Sequence, residues 1–236
     1  PDGAAGANRA TGAARATGAT RAAGAARATG TTSTVGPTGA ERNPAKWRRL
    51  LRAGSLGAAC FVRSERVPAH PLRLALEPST HCPLDCATCA RAERTPNPRH
   101  IDPAFFGAIL ADVRPRIVHL HGAGEPAAHP ELPRLCADAR ATGARVALLT
   151  SLTDAGSIAR VIDALPFLDR IQIGMDAVTP EVYRRVRRGG DFDLLRSGVR
   201  SILQARSRSG AGRPSVILSF LLLERNLHEA VPFVRE

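Results

Sequence analysis

Residues 81–89 read HCPLDCATC and place Cys82, Cys86 and Cys89 in a CxxxCxxC spacing. Three thiolates in so short a stretch predict a loop folded around one iron-sulfur cluster. A [4Fe-4S] cluster with three protein ligands keeps one iron open, just as a catalytic metal keeps a free coordination position. The spacing therefore predicts chemistry at the cluster rather than simple electron transfer. A zinc site completed by His81 or His100 is the alternative that the spacing alone leaves open.

A second motif, HGAGEP at residues 121–126, follows the apolar run Ile117–Leu120 and precedes a predicted helix. Glycines at such a place let the backbone approach a ligand closely, and a carboxylate there can accept hydrogen bonds from an ammonium group. A glycine-rich loop by itself is a weak signal. A CxxxCxxC loop followed by a strand that ends in GxGEP, however, resembles the radical S-adenosylmethionine (SAM) superfamily, and a structural zinc site has no need of the second motif.

The resemblance implies a [4Fe-4S] cluster and SAM as cofactors. In that family the open iron chelates the amino and carboxylate groups of SAM, and the reduced cluster cleaves SAM to methionine and a 5′-deoxyadenosyl radical. The radical takes a hydrogen atom from the substrate. By this resemblance, one segment binds the amino group of SAM, and Glu125 within it fixes that group. The segment comprises Gly122, Gly124, Glu125 and Pro126.

Further resemblance lies downstream, in IGMDA at residues 173–177, which is similar to the ISIDG-type segment of the branch that carries a C-terminal auxiliary-cluster (SPASM-type) domain. Gly174 replaces the usual serine. Asp176 either bonds a ribose hydroxyl or caps the following helix. By the same resemblance Arg187 pairs with the carboxylate of SAM, and Ser151 contacts ribose or solvent.

Two further segments depart from the family pattern or have no assigned role. Thr88 stands before the third cysteine, where the family usually has a bulky residue near the adenine. Asn226 and Glu229 match an Asn-x-x-Glu segment of the family after the fifth strand, and the sequence gives them no function.

Short apolar runs alternate with helical segments from about residue 72 onward, which is the order of a parallel α/β protein. The pattern predicts five strands, at 72–77, 117–121, 144–150, 171–175 and 216–223. It predicts helices at 103–113, 130–141, 154–165, 180–186, 192–206 and from 227 to the end. By the resemblance this is a partial (β/α)6 TIM-like barrel of the radical SAM type, incomplete at its C-terminus.

The chain divides into three predicted parts. Residues 1–40 form a disordered tail, because this Ala/Gly/Thr/Arg hexapeptide repeat has almost nothing to bury. Residues 41–70 form an N-terminal helix, predicted at 43–52, and a linker; Trp47, Leu50 and Leu51 make an apolar stripe that packs on the domain as a cap. Residues 71–236 form the radical SAM core.

Composition excludes several classes of protein. The chain carries a net charge of +12 but a single lysine, Lys46, and few aromatic residues, which disfavours nucleic-acid binding and indicates a coding bias toward arginine. No apolar run is long enough to span a membrane, and no signal peptide is visible. Five cysteines, three of them clustered, indicate a cluster in a reducing, cytoplasmic location. Cys60 and Cys136 are predicted to be packed structural thiols.

The sequence therefore predicts a radical SAM enzyme that acts on a peptide side chain or another small molecule. Its predicted partners are that substrate and an electron donor such as flavodoxin or ferredoxin, with no membrane partner. The alternative is a non-catalytic zinc or iron-sulfur binding module, tethered to nucleic acid by its basic tail.

Overall fold

The computed structural model describes residues 44–65, 70–89 and 97–235. Pro44–Glu236 forms one compact unit. The predicted disordered tail, residues 1–40, lies outside the described residues. No helix among the described residues is long and apolar enough to cross a membrane.

Five strands form one parallel sheet, in the order in which they occur along the chain. They are β1 (Arg73–Leu76), β2 (Ile117–Leu120), β3 (Arg145–Thr150), β4 (Arg170–Gly174) and β5 (Ser215–Ser219). Each strand pairs in parallel with the next, with Leu76 opposite Leu120 and Leu120 opposite Leu148. Sequential parallel strands with right-handed crossovers place all the connecting helices on one face, as in a TIM-like barrel.

The helices between the strands occupy that face. They are α2 (Pro103–Val113), α3 (Leu132–Ala141), α4 (Ala155–Ala164), α5 (Pro180–Val186) and α6 (Phe192–Arg208). Helix α1 (Pro44–Phe61) precedes β1, and α7 (Ala230–Arg235) follows β5. Short 3-10 helices lie at Pro126–Ala128, Leu165–Phe167 and Glu224–Glu229. Asp102 caps the N-terminus of α2, because its carboxylate accepts a hydrogen bond from the amide of Phe105 at 2.9 Å.

The core lies between the sheet and the helices. Alternate strand residues point to opposite faces, and those that point to the helices are buried: Val118, Leu120, Val146, Leu148, Ile171 and Ile173. Leu135 and Leu195 pack into the same cluster from α3 and α6. Because the strands are parallel, their carboxyl ends meet at one edge of the sheet, and both sequence motifs follow directly on those ends.

The predicted α/β pattern is confirmed, with differences at the ends of elements. Pro130 does not begin a helix; α3 starts at Leu132, and Pro130 instead follows the 3-10 turn at Pro126–Ala128. The fifth strand stops at Ser219, and the last predicted helix is divided into a 3-10 helix and α7. The physical reason is the hydrogen bonding of Asn226, whose side chain closes a turn against Leu223 at 2.7 Å.

The first helix differs more from its prediction. It runs to Phe61 rather than ending near residue 52. The side chains of Trp47, Leu50 and Leu51 are more than half exposed, so the predicted cap on the domain is wrong for these three side chains. The helix is fastened instead through Arg52, which donates to the carbonyl of His70 at 2.7 Å.

Candidate functional site

One cavity of about 410 Å³ opens at the carboxyl ends of the strands. Its walls come from the cysteine loop, from the loop after β2, and from the residues that follow β3, β4 and β5. Every candidate residue from the sequence lines it: Cys82, Cys86, Cys89, Gly122, Gly124, Glu125, Pro126, Ser151, Asp176 and Arg187. The fold thus brings together residues that are more than 100 positions apart in sequence.

The cysteine loop is fastened through its backbone to the end of α5. The amides of Asp85 and Ala87 donate to the carbonyls of Arg188 and Val186, each at 2.9 Å. Leu84, which precedes Asp85, is buried. The loop therefore has a fixed backbone path through protein contacts alone.

Two of the cysteine thiols have polar neighbours. The Sγ of Cys86 lies 4.0 Å from Nη1 of Arg187, and the Sγ of Cys89 lies 4.0 Å from the carbonyl oxygen of Ala123. Burial raises the pKa of the Cys86 thiol, and the Arg187 guanidinium opposes that effect. A cation beside Cys86 favours its thiolate, the form that binds iron.

The glycines after β2 are required by close packing against residues 77–80, which follow β1 and lead into the cysteine loop. A Cβ at Gly124 would lie 2.0 Å from the carbonyl oxygen of Ser79, which is backbone and cannot move aside. A Cβ at Gly122 would lie 2.4 Å from Oε1 of Glu77, and that same oxygen accepts a hydrogen bond from the amide of Gly124 at 2.8 Å. Sequence reasoning missed Glu77. The one feature of the sequence that could have indicated it is its position directly after β1.

Glu125 is buried, and protein donors satisfy its carboxylate. Oε1 accepts from the hydroxyl of Thr150 at 2.7 Å and from the amide of Ala127 at 2.9 Å, and Oε2 accepts from the amide of Ser151 at 2.7 Å. Burial raises the pKa of this carboxyl group, and the three hydrogen bonds oppose the rise. In this structure Glu125 ties the loop after β2 to the end of β3.

Arg187 spans the cavity wall between β3 and β4. Its Nη1 donates to the hydroxyl of Ser151 at 2.9 Å, and its Nε donates to Oδ2 of Asp176 at 2.7 Å. A Cβ at Gly174 would lie 2.1 Å from Nη2 of Arg187. Glycine at this position, where the family branch usually has serine, therefore makes room for the guanidinium.

Asp176 directs its carboxylate inward rather than toward α5. Its Oδ1 accepts from the amide of Leu221 at 2.6 Å, so both oxygens are engaged by protein donors. The helix that follows is capped by Thr179, whose hydroxyl accepts from the amide of Val182 at 3.4 Å. The expectation that Asp176 caps this helix is wrong, because Thr179 lies one residue before the helix and Asp176 four.

The Asn-x-x-Glu segment holds the loop after β4. The side-chain amide of Asn226 donates to the carbonyl of Asp176 at 2.9 Å. Glu229 accepts from the amide of Val178 at 2.7 Å and from the hydroxyl of Thr179. Both side chains are buried. These contacts give the two residues a role that the sequence left unassigned: they fix the backbone from which Asp176 reaches Arg187.

The residues present fit an iron-sulfur cluster with SAM beside it. Among the described residues, no group of three His, Cys, Asp or Glu side chains is arranged to hold a single metal ion. The thiols of Cys82, Cys86 and Cys89 line the same cavity, and soft sulfur donors are the ligands of iron-sulfur clusters. Arg187 faces that cavity with a cation suited to a carboxylate.

The profile of the radical SAM superfamily matches residues 76–236. The chain belongs to the radical SAM superfamily. Members of the superfamily use a [4Fe-4S] cluster together with SAM and act on peptide or small-molecule substrates. A comparison with curated proteins gave no match.

Solved structures with a similar fold include SuiB from Streptococcus suis. SuiB bound to S-adenosylmethionine is 16% identical, with 79% of this chain and 43% of SuiB covered and a TM-score of 0.55. SuiB alone is 13% identical, with 81% and 47% covered and a TM-score of 0.57. SuiB bound to the precursor peptide SuiA is 16% identical, with 82% and 42% covered and a TM-score of 0.55. The chain spans less than half the length of these SuiB chains.

Proposed function

We propose that this radical SAM enzyme cleaves SAM reductively at a [4Fe-4S] cluster held by Cys82, Cys86 and Cys89. When bound, the reduced cluster supplies the electron that splits SAM into methionine and a 5′-deoxyadenosyl radical, which abstracts a hydrogen atom from the substrate. The observation that carries the proposal is the single cavity lined by all three thiols together with Arg187.

Arg187 and Ser151 supply the contact for the carboxylate of SAM. The guanidinium is always charged and can present two parallel N–H donors to a carboxylate. Asp176 already holds one edge of it, so Nη1 and the Ser151 hydroxyl remain the groups nearest the cavity. Asp176 therefore positions Arg187, and we do not assign it a direct contact with ribose, because both of its oxygens are engaged.

The loop at residues 122–126 supplies backbone polar groups for the amino group of SAM. The carboxylate of Glu125 accepts three hydrogen bonds from the protein, so we assign this residue to the shape of the loop. Carbonyl oxygens of the loop are acceptors of the kind that an ammonium group needs. Gly122 and Gly124 keep the loop close to the cysteines, because any side chain there would meet Glu77 or Ser79.

The reaction consumes one electron per SAM cleaved, which requires a reduced one-electron carrier such as flavodoxin or ferredoxin. His81, Pro83 and Asp85 are exposed and form an edge of the cysteine loop that does not line the cofactor cavity. Among the described residues of the loop, this edge is accessible to an electron carrier. A partner that docks there would come within a few ångströms of a cluster ligand.

The substrate is a peptide side chain or another small molecule. Residues 173–177 and 179–192 resemble the branch with a SPASM-type auxiliary-cluster domain, and SuiB, which shares the fold, has been solved with the precursor peptide SuiA. These likenesses favour a peptide.

The test is to reconstitute the protein anaerobically with iron and sulfide, reduce it, and record its EPR spectrum with and without SAM. We expect a reduced-cluster signal that changes when SAM is added, together with formation of 5′-deoxyadenosine. Cys86→Ala should lose the signal, whereas Cys60→Ala, which removes an exposed thiol outside the cavity, should keep it. A folded sample that binds zinc instead, or a cluster whose EPR spectrum does not change when SAM is added, would overturn the proposal in favour of a binding module.

A further inference from the structure

The face of the sheet opposite the helices is polar and open. The interior of a closed TIM barrel is normally filled by bulky branched side chains. Here that face carries mostly small, polar or cationic residues, with one aliphatic residue on each of three strands, Ile117, Leu149 and Ile217; the others are Arg73, Ala75, His119, His121, Arg145, Ala147, Arg170, Gln172, Ser215 and Ser219. We call the space over this face the lumen.

Two cavities share the lumen. The cofactor cavity extends down to His121, Leu149 and Gln172. A second cavity, of about 170 Å³, is lined by the residues two positions earlier on the same strands, His119, Ala147 and Arg170. The imidazole rings of His119 and His121 lie with their centroids 6.1 Å apart. The lower cavity is therefore the next layer of the same lumen.

The lower cavity is bounded by three arginines, which we call the arginine floor: Arg73, Arg145 and Arg170. Arg73 and Arg145 both stand opposite Ile117 in the sheet, so their Cα atoms are about 10 Å apart, two strand spacings. Arg170 is four residues before Gly174, which lines the cofactor cavity, a distance of about 13 Å along β4.

The arginine floor has little negative charge against it. Asp169 is the acidic residue that lines the lower cavity, and its Oδ2 accepts from Nη1 of Arg140 at 2.7 Å and from the amide of Val146 at 2.9 Å. Its Oδ1 lies 3.6 Å from Nη1 of Arg213. Asp169 is thus shared by two other arginines. No ion pair of Arg73, Arg145 or Arg170 occurs within the part of the chain that the structure describes.

The pKa of His119, which lines the same cavity, reflects the same excess of positive charge. Burial lowers the pKa of His119, and Arg73, His121 and Arg170 lower it further. The neutral imidazole can donate or accept a hydrogen bond to a bound group. Clustered cations in a concave site with low-dielectric walls focus a positive potential and attract anions.

We propose that the arginine floor binds an oxyanion, a phosphate or a carboxylate, and that the substrate of the enzyme carries this group. The part about the substrate rests on the proposed function, because it places the reacting end of the same molecule in the cofactor cavity. A guanidinium matches either oxyanion through paired N–H donors. The substrate is then an anionic molecule, or peptide side chain, whose charged group lies roughly 10 to 15 Å from the atom that loses hydrogen.

The binding part is tested without cluster or SAM, by titrating the full chain with inorganic phosphate and with glutarate at constant ionic strength in an isothermal calorimeter. We expect saturable binding of at least one of the two anions. Arg145→Gln and, separately, Arg170→Gln should weaken it about tenfold or more, because each removes a charge-assisted hydrogen bond. Tighter phosphate binding would indicate a phosphorylated substrate, and tighter glutarate binding an acidic one.

The matched control is Arg200→Gln, which removes the same charge from the exposed surface of α6. It should leave anion binding unchanged. Absence of saturable binding in the wild-type chain, or an equal loss in Arg200→Gln, would overturn the proposal. Formation of 5′-deoxyadenosine from SAM alone separates this result from the proposed function: an active enzyme that binds neither anion refutes the arginine floor, and an anion-binding protein inert toward SAM refutes the enzyme.

Discussion

Asp176 holds Arg187 through a hydrogen bond and an ion-pair contact to one oxygen: Nε donates to Oδ2 of the carboxylate at 2.7 Å, and Nη2 lies 2.7 Å from the same oxygen. The side chains are 5% and 18% exposed, so the pair is largely removed from water. The second oxygen of Asp176 accepts from the amide of Leu221, and its carbonyl accepts from Asn226. The position of Arg187 in the cavity is therefore set by contacts on three separate segments.

Asp176→Asn should weaken SAM binding about tenfold and lower the free energy of unfolding by about 3 kcal/mol. Removing one partner of a buried ion pair costs about 3–5 kcal/mol, and the amide keeps one of the acceptors. Isothermal calorimetry with SAM on the reconstituted protein measures the first effect. Urea denaturation measures the second.

Glu181→Gln is the control for that prediction. Glu181 and Arg185 also form an ion pair, but both side chains are more than half exposed, and such pairs contribute about 0–1 kcal/mol. We expect no change in SAM affinity and a change in stability below about 1 kcal/mol. Equal effects of the two substitutions would show that Asp176 does not position Arg187.

Gly174→Ala should displace Arg187 and reduce SAM affinity severalfold, because the added Cβ would lie 2.1 Å from Nη2. The guanidinium must move away from Ser151 to relieve the contact. Gly107→Ala is the matched control: nothing lies within 4 Å of its added Cβ, and in the middle of α2 it should stabilise the protein by about 1 kcal/mol. If Gly174→Ala binds SAM as the wild type does, Arg187 is not confined by this glycine.

Much of the fold could be predicted because the strands are apolar runs bounded by turn residues, and the helices carry local signals such as Asp102 before Pro103. The two motifs also had to meet, since parallel strands bring their carboxyl ends to one edge. The exact end of β5 could not be predicted, because it depends on the side chain of Asn226 rather than on local apolarity.

The contacts between side chains within the site could not be predicted from the sequence. That Gly174 leaves space for Arg187 is a relation across 13 positions that only the packed structure shows. The motif predicts that Glu125 binds the amino group of SAM, but it gives no view of Thr150, which lies 25 residues away and donates to the same carboxylate. Partners distant in sequence decide whether a polar side chain is available to a ligand.

The two cysteines outside the motif should differ in reactivity. Cys136 is buried, as predicted, and burial raises the pKa of its thiol to about 12, whereas Cys60 is exposed on the extended first helix, contrary to prediction. In a Cys82/Cys86/Cys89→Ser variant, iodoacetamide at pH 8 should therefore modify Cys60 and spare Cys136 until the protein is denatured. Mass spectrometry of tryptic peptides measures both. Modification of Cys136 in the folded variant at a rate comparable to Cys60 would contradict its burial.

Protonation of His119 should destabilise the fold at low pH. Burial and the charges of Arg73, His121 and Arg170 lower the pKa of His119 below its ordinary value of 6.5, so below about pH 6.5 the unfolded chain binds more protons than the folded one. This contribution to stability is present above that pH and is lost as the pH falls through the lowered pKa. We expect the free energy of unfolding of the wild type to fall more steeply between pH 7 and 5 than that of His119→Gln, which does not titrate. Urea denaturation at several pH values measures both curves. Parallel curves would mean that the neighbouring groups do not act on this imidazole, and inorganic phosphate bound at the arginine floor should reduce the difference by shielding Arg73 and Arg170.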